Sequence, residues 1–127
     1  MHKPPPFAPD DIQKEIVAAL KDEKRRFLDN KDTTSRGYLD HWGITPKAVF
    51  EDLASDLQTY HLYLKPSQAG SPPSLQRYQY VLPYPEDGDY PELLVHITLS
   101  PRGQPPRVML SVHPHNTGYA PLRRVPL

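Results

Sequence analysis

Two histidines, His96 and His113, stand in apolar segments that alternate with period two, and this spacing is the one in the chain most suited to chemistry. In Leu93-Leu94-Val95-His96-Ile97-Thr98-Leu99, the residues Leu93, Val95, Ile97 and Leu99 share one face. In Arg107-Val108-Met109-Leu110-Ser111-Val112-His113, Val108, Leu110 and Val112 do the same. Such alternation means that one side of each strand is buried. The other side presents His96 and Thr98 from one strand, with Arg107, Met109, Ser111 and His113 from the next. A hairpin whose loop is flanked by Ser100 and Arg107 sets Leu94 across from His113 and His96 across from Ser111. The histidines are then diagonal neighbours, about 7 Å apart at Cβ and within joint reach of one ligand.

Two imidazoles and the Arg107 guanidinium on an open sheet face suit phosphodiester cleavage. One imidazole takes the proton of a ribose 2′-hydroxyl, the other protonates the leaving oxygen, and arginine stabilises the charged phosphorane. A reference pKa of about 6.5 supplies both imidazole forms near neutrality. Other readings fit the same residues. A histidine on a solvated face can be a surface polar group and nothing more. His113-Pro114-His115, with His96 nearby, could ligate a metal, although no carboxylate lies adjacent in sequence to complete the set. Tyr63, Tyr78 and Tyr80 could stack on bases or pack in a core.

The elements that must position these residues can be read from the rest of the chain. Asp10 as N-cap and Gln13 three residues later form a capping-box pattern, and Ile12, Ile16, Ala19, Leu20 and Phe27 fall near helical spacing, predicting a helix over 10–28. Residues 30–37 are a polar breaker, and Gly43 ends a short apolar turn. Thr45-Pro46 opens a second helix, expected over 46–57, with Thr as N-cap and Pro in the first turn. Residues 60–65 read as a strand or as the end of the helical layer; strands are expected over 77–82, 92–99 and 107–113. Helices first and strands afterwards predict an α+β domain, two N-terminal helices packed on a short twisted antiparallel sheet. Residues 1–9 read as a disordered Pro-rich arm before a single domain over 10–127.

Composition narrows the function classes. The 127 residues fit one domain and include no cysteine, which excludes disulfides, thiolate metal sites and cysteine nucleophiles. No apolar run approaches membrane-span length, and the Pro-rich start lacks the hydrophobic stretch of a signal peptide, so a cytoplasmic protein without membrane contact is expected. Fifteen basic and fifteen acidic residues cancel, leaving no global field to attract nucleic acid. Twelve of seventeen prolines follow residue 65, so the second half must be short strands joined by stiff loops.

The order of motifs carries a resemblance. A helix with "IVAALKDEKRRFLDN" is followed by the polar "KDTTSR", then "YLDHWGITPKAVFEDLASDLQTYHLY", then strands ending in "VMLSVHPHNTGYAPLRRVPL". Over most of residues 12–121 this resembles the MqsR family of toxins from bacterial toxin–antitoxin operons. The resemblance implies a RelE-like fold, mRNA cleavage without metal or cofactor, and neutralisation by a cognate antitoxin; a homodimer is compatible with it. Residue by residue, it places His113 at the family's terminal basic position and His96 where the family often has lysine. Leu94 stands where the family has tyrosine. Tyr63 and Lys65 match a Tyr/Lys pair after the second helix, and Gln76 or Gln79 matches a glutamine of the first long strand. Together, the residues expected to act are His96, His113 and Arg107 in catalysis, with Lys65, Tyr63, Gln79 and Ser111 binding substrate. A non-catalytic protein-binding module on the same fold, antitoxin-like or an adaptor, is the alternative.

Overall fold

Helix α1, Asp10–Leu20, follows Pro9 and carries Asp10 and Asp11 in its first turn, where carboxylates favour the positive end of the helix dipole. In this computed structural model, the described residues are 7–29, 37, 39–64, 76–82, 93–100, 105–114 and 124–127. The helix stops well short of the expected residue 28. Asp22 terminates it, because its carboxylate accepts from the Lys24 N–H at 3.0 Å and its carbonyl from the Arg25 N–H at 2.9 Å. The chain turns there and enters strand β1, Arg26–Leu28. Phe27 and Leu28 were expected on a helix; they lie on a strand, one on each face.

Gly43, at φ 67°, closes the helical turn of residues 39–41. The Ile44 N–H donates to the Leu39 carbonyl at 2.9 Å and the Gly43 N–H to the Asp40 carbonyl at 3.2 Å, the paired bonds that a left-handed C′ glycine permits. Helix α2, Pro46–Asp56, starts as expected, with the Thr45 hydroxyl accepting from the Ala48 N–H at 3.1 Å and Pro46 in the first turn. Four strands follow: β2 Tyr63–Leu64, β3 Gln76–Leu82, β4 Leu93–Ser100 and β5 Arg107–Pro114.

Among the described residues the sheet has five strands in the order β1-β5-β4-β3-β2. Strands β2 to β5 pair antiparallel, but β1 runs parallel to β5, with Phe27 level with Met109. The expected antiparallel sheet is therefore a mixed one within an α+β fold. Its core face carries Leu28, Tyr78, Tyr80, Leu82 and the expected set Leu93, Val95, Ile97, Leu99, Val108, Leu110 and Val112, all buried. Ile16, Ala19 and Leu20 of α1 and Val49, Leu53 and Ala54 of α2 complete the same cluster. Among the described residues, no helix is long and apolar enough to cross a membrane.

Both flanks of the chain dock on the segment between α2 and β2. Phe7 and Ala8, expected in the arm, are part of the fold: the Ala8 N–H donates to the Leu62 carbonyl at 2.8 Å, and Phe7 forms an antiparallel bridge with Tyr63. The Phe7 ring stacks on His61 at 4.1 Å. From the other side, the His61 N–H donates to the Val125 carbonyl at 2.8 Å and the Leu127 N–H to the Thr59 carbonyl at 2.9 Å. Gln13, the expected capping-box residue, lies beneath this segment at 3% exposure. Its amide nitrogen donates to the carbonyls of Leu57 at 2.8 Å and Tyr60 at 2.7 Å, and its oxygen accepts from the Leu62 N–H at 3.0 Å.

Gln13→Ala should cost about 3 kcal/mol, since it strands three backbone groups that the side chain now satisfies. Urea unfolding should show a lower midpoint at unchanged slope, and a midpoint unmoved would remove Gln13 from this role. A second expectation concerns Tyr80, whose phenol is pushed far above its ordinary value by burial first and by Asp56 second, the carboxylate also accepting its proton at 3.0 Å. Below about pH 10, where the unfolded tyrosine is neutral, its contribution is complete; above that the unfolded chain ionises while the folded phenol holds its proton. Stability should thus fall as pH rises past this point. Tyr80→Phe should flatten the fall, leaving the part due to Tyr78, which burial and then Asp11 also raise.

Candidate functional site

The face of the sheet away from the helices is built row by row from the strand register. Gln79, His96 and Ser111 are level on β3, β4 and β5, with Tyr63 of β2 beside Gln79. Leu94 and His113 are level in the next row, as expected for a loop flanked by Ser100 and Arg107. His96 and His113 are diagonal neighbours, and their rings meet edge to face with centroids 5.3 Å apart. Ser111 Oγ lies 3.0 Å from His113 Nε2, a bond between alternate residues of one strand. Both histidines and the serine are half-buried.

Half-burial follows from the surroundings. Leu94 and Val81 face the same side as His113 and are buried. The imidazoles therefore stand between an apolar floor on one side and polar Gln79 and Ser111 on the other. This arrangement can exchange protons with one ligand through two rings, and the Ser111 hydroxyl, able to donate or accept, engages Nε2 of His113.

Not every expected site residue joins this pair. Arg107 opposes Ser100 at the far end of β5, three same-face steps from His113 and so roughly 20 Å away. Alternation specifies the face of a residue but not its row, and Arg107 shares only the face. Its guanidinium lies over the Phe27 ring, 5.7 Å from the centroid. Tyr63 is level with Gln79 but is only 2% exposed, with the Phe7 ring tilted against it at 5.3 Å. Its role here is packing at the sheet edge. Lys65 and His115 lie outside the described residues.

Two residues not singled out in the sequence are brought close. Arg77 of β3 opposes Thr98, which places it diagonal to His96, and it makes no ion pair among the described residues. Asp29 follows Leu28 with its N–H donating to the Leu110 carbonyl at 2.8 Å, which extends the β1 register and brings it level with Ser111. Arg77 could have been found by carrying the strand register across to β3. Asp29 was hidden by the helical reading of residues 10–28. Among the described residues, no three histidine, aspartate or glutamate side chains converge as a metal-ligand set.

Comparison with known proteins finds no family model, curated protein or solved structure that matches the chain.

Ser111→Ala should release His113 from its hydroxyl partner while leaving the exposed side of the sheet folded. Long-range proton–nitrogen spectra of the imidazoles should then report a changed tautomer balance at His113, with the melting temperature nearly constant. An unchanged His113 signature would mean that the 3.0 Å contact does not orient the ring.

Proposed function

We propose that this protein is a metal-independent endoribonuclease that cleaves mRNA, acting in the cytoplasm as an MqsR-like toxin held in check by a cognate antitoxin. The observation that carries the chemical part is the 5.3 Å contact between the His96 and His113 rings on the sheet face away from the helices. The toxin assignment, the antitoxin and the RelE-like variety of the fold draw their support from the motif order and the family resemblance, with which a sheet covered by helices on one face is consistent.

The reaction needs no group beyond the substrate and the two imidazoles. A neutral imidazole accepts the 2′-hydroxyl proton as that oxygen bonds to phosphorus. The bond from phosphorus to the 5′ oxygen breaks, and the other ring, entering as imidazolium, gives its proton to the departing oxygen. The products are a 2′,3′-cyclic phosphate and a 5′-hydroxyl, and the enzyme's proton count is unchanged. We assign the base to His113, whose Nε2 meets the Ser111 hydroxyl, and the acid to His96. Arg77, diagonal to His96, takes the phosphorane-stabilising role first read into Arg107. Gln79, level with His96, offers an amide to the substrate.

His113→Ala and His96→Ala should each slow cleavage of an mRNA transcript by about two to four orders of magnitude. Both positions are half-buried on the face away from the core, so circular dichroism should show the fold retained. Chelator should leave the wild-type rate as it is. Arg77→Gln should lower the rate more than Arg107→Gln does. Undiminished cleavage in both histidine variants would refute the mechanism, and cleavage abolished by chelator would transfer the chemistry to a metal.

A further inference from the structure

The open face continues beyond the histidines. One same-face step along β5 from Ser111 lies Met109, level with Thr98 on β4 and Phe27 on β1, and Arg77 ends this row on β3. Phe27 is 43% exposed and Met109 41%, the two large apolar side chains of the described strands that remain in solvent. Arg107 and Ser100 form the row after it, with the Arg107 guanidinium over the Phe27 ring. Neither Arg77 nor Arg107 makes an ion pair among the described residues, and these two rows contain no carboxylate.

An exposed aromatic ring beside a planar cation with no anionic partner among the described residues calls for a ligand that is flat and negatively charged. Nucleotides are both: the base stacks on the ring or on the guanidinium plane, and the phosphate takes the charge. A protein partner would gain from the two apolar side chains but would have to supply acidic groups to two arginines in adjacent rows. The position also fits a chain already engaged at the histidines. Phe27 is two strands and one same-face step from His96, which amounts to roughly 12 Å. That is too far for the base attached at the scissile phosphate but suits a neighbouring nucleotide.

We propose that Phe27, Met109 and Arg107 form a base-stacking subsite for single-stranded nucleic acid, receiving a nucleotide adjacent to the one held at His96 and His113. The subsite deepens the ribonuclease reading and takes the position of the chain from it.

A fluorescein-labelled single-stranded oligodeoxynucleotide tests the subsite apart from the chemistry, because without a 2′-hydroxyl it cannot be cut by the route described. Anisotropy with the full chain should show that Phe27→Ala weakens binding of a hexanucleotide about tenfold, while Phe27→Tyr, which keeps the ring, binds like the wild type. Arg107→Gln should reduce the slope of log affinity against log salt by about one. In RNA cleavage, Phe27→Ala should raise KM and leave kcat in place. Equal hexanucleotide affinity for Phe27→Ala and wild type overturns the subsite. So does a wild-type protein that binds no oligonucleotide, which would leave the patch to a protein partner or a second copy of the chain. Binding that depends on Phe27 in a protein that cuts no RNA would keep the subsite and reject the ribonuclease.

Discussion

The buried amide of Gln13 holds the segment on which the rest of the molecule is hung. Residues 57–63 pass from α2 to β2 with Leu57, Leu62 and Tyr63 buried, and backbone enclosed there must find partners for its polar groups. Gln13 supplies three of them at once, donating to Leu57 and Tyr60 and accepting from Leu62. Ala8, Val125 and Leu127 satisfy others from the outer side. One side chain of α1 therefore sets the height of α1 against α2 and the point at which β2 joins the sheet.

That arrangement commits both helices to one face of the sheet, and the histidine pair lies on the other. Once β4 and β5 turn their leucines, valines and isoleucine inward, His96, Ser111 and His113 have to point outward together. Their proximity needs no special loop; it is a by-product of pairing in this register. The buried Leu94 and Val81 beside them limit solvent around the rings, which strengthens any hydrogen bond made there. The cations are distributed differently from the imidazoles: Arg77 lies diagonal to His96, while Arg107 is held at the far end of β5 over Phe27.

The parts legible in the sequence are those where one physical rule acts alone. Alternation over 93–99 and 107–113 puts both histidines on one face, and a hairpin loop flanked by Ser100 and Arg107 then sets His96 across from Ser111 and Leu94 across from His113. Thr45 and Pro46 announce α2 by chemistry local to one turn. The misreadings arise where two rules compete. Phe27 and Leu28 fit a helical stripe as well as a strand, and three residues are too few to display a period of two. Gln13 fits a capping box, yet a buried backbone 44 to 49 residues away claims its amide. Phe7 sits beside prolines that suggest disorder, and its place is decided by His61 and Tyr63. Tertiary demands of this kind leave no local trace.

The position of β5 has a consequence for how the molecule is made. Among the described residues it is the last strand in sequence, yet it lies inside the sheet, between β4 and the much earlier β1. Pairing of Phe27 with Met109 closes a very long loop, and contacts of such separation form late and slowly. During synthesis, β1 must wait with one edge unsatisfied until residues 107–114 have left the ribosome. Because His113 and Ser111 arrive on that same strand, the histidine pair is assembled only when the sheet is completed. A nascent chain lacks the histidine pair, and the two rings come together at the final stage of folding.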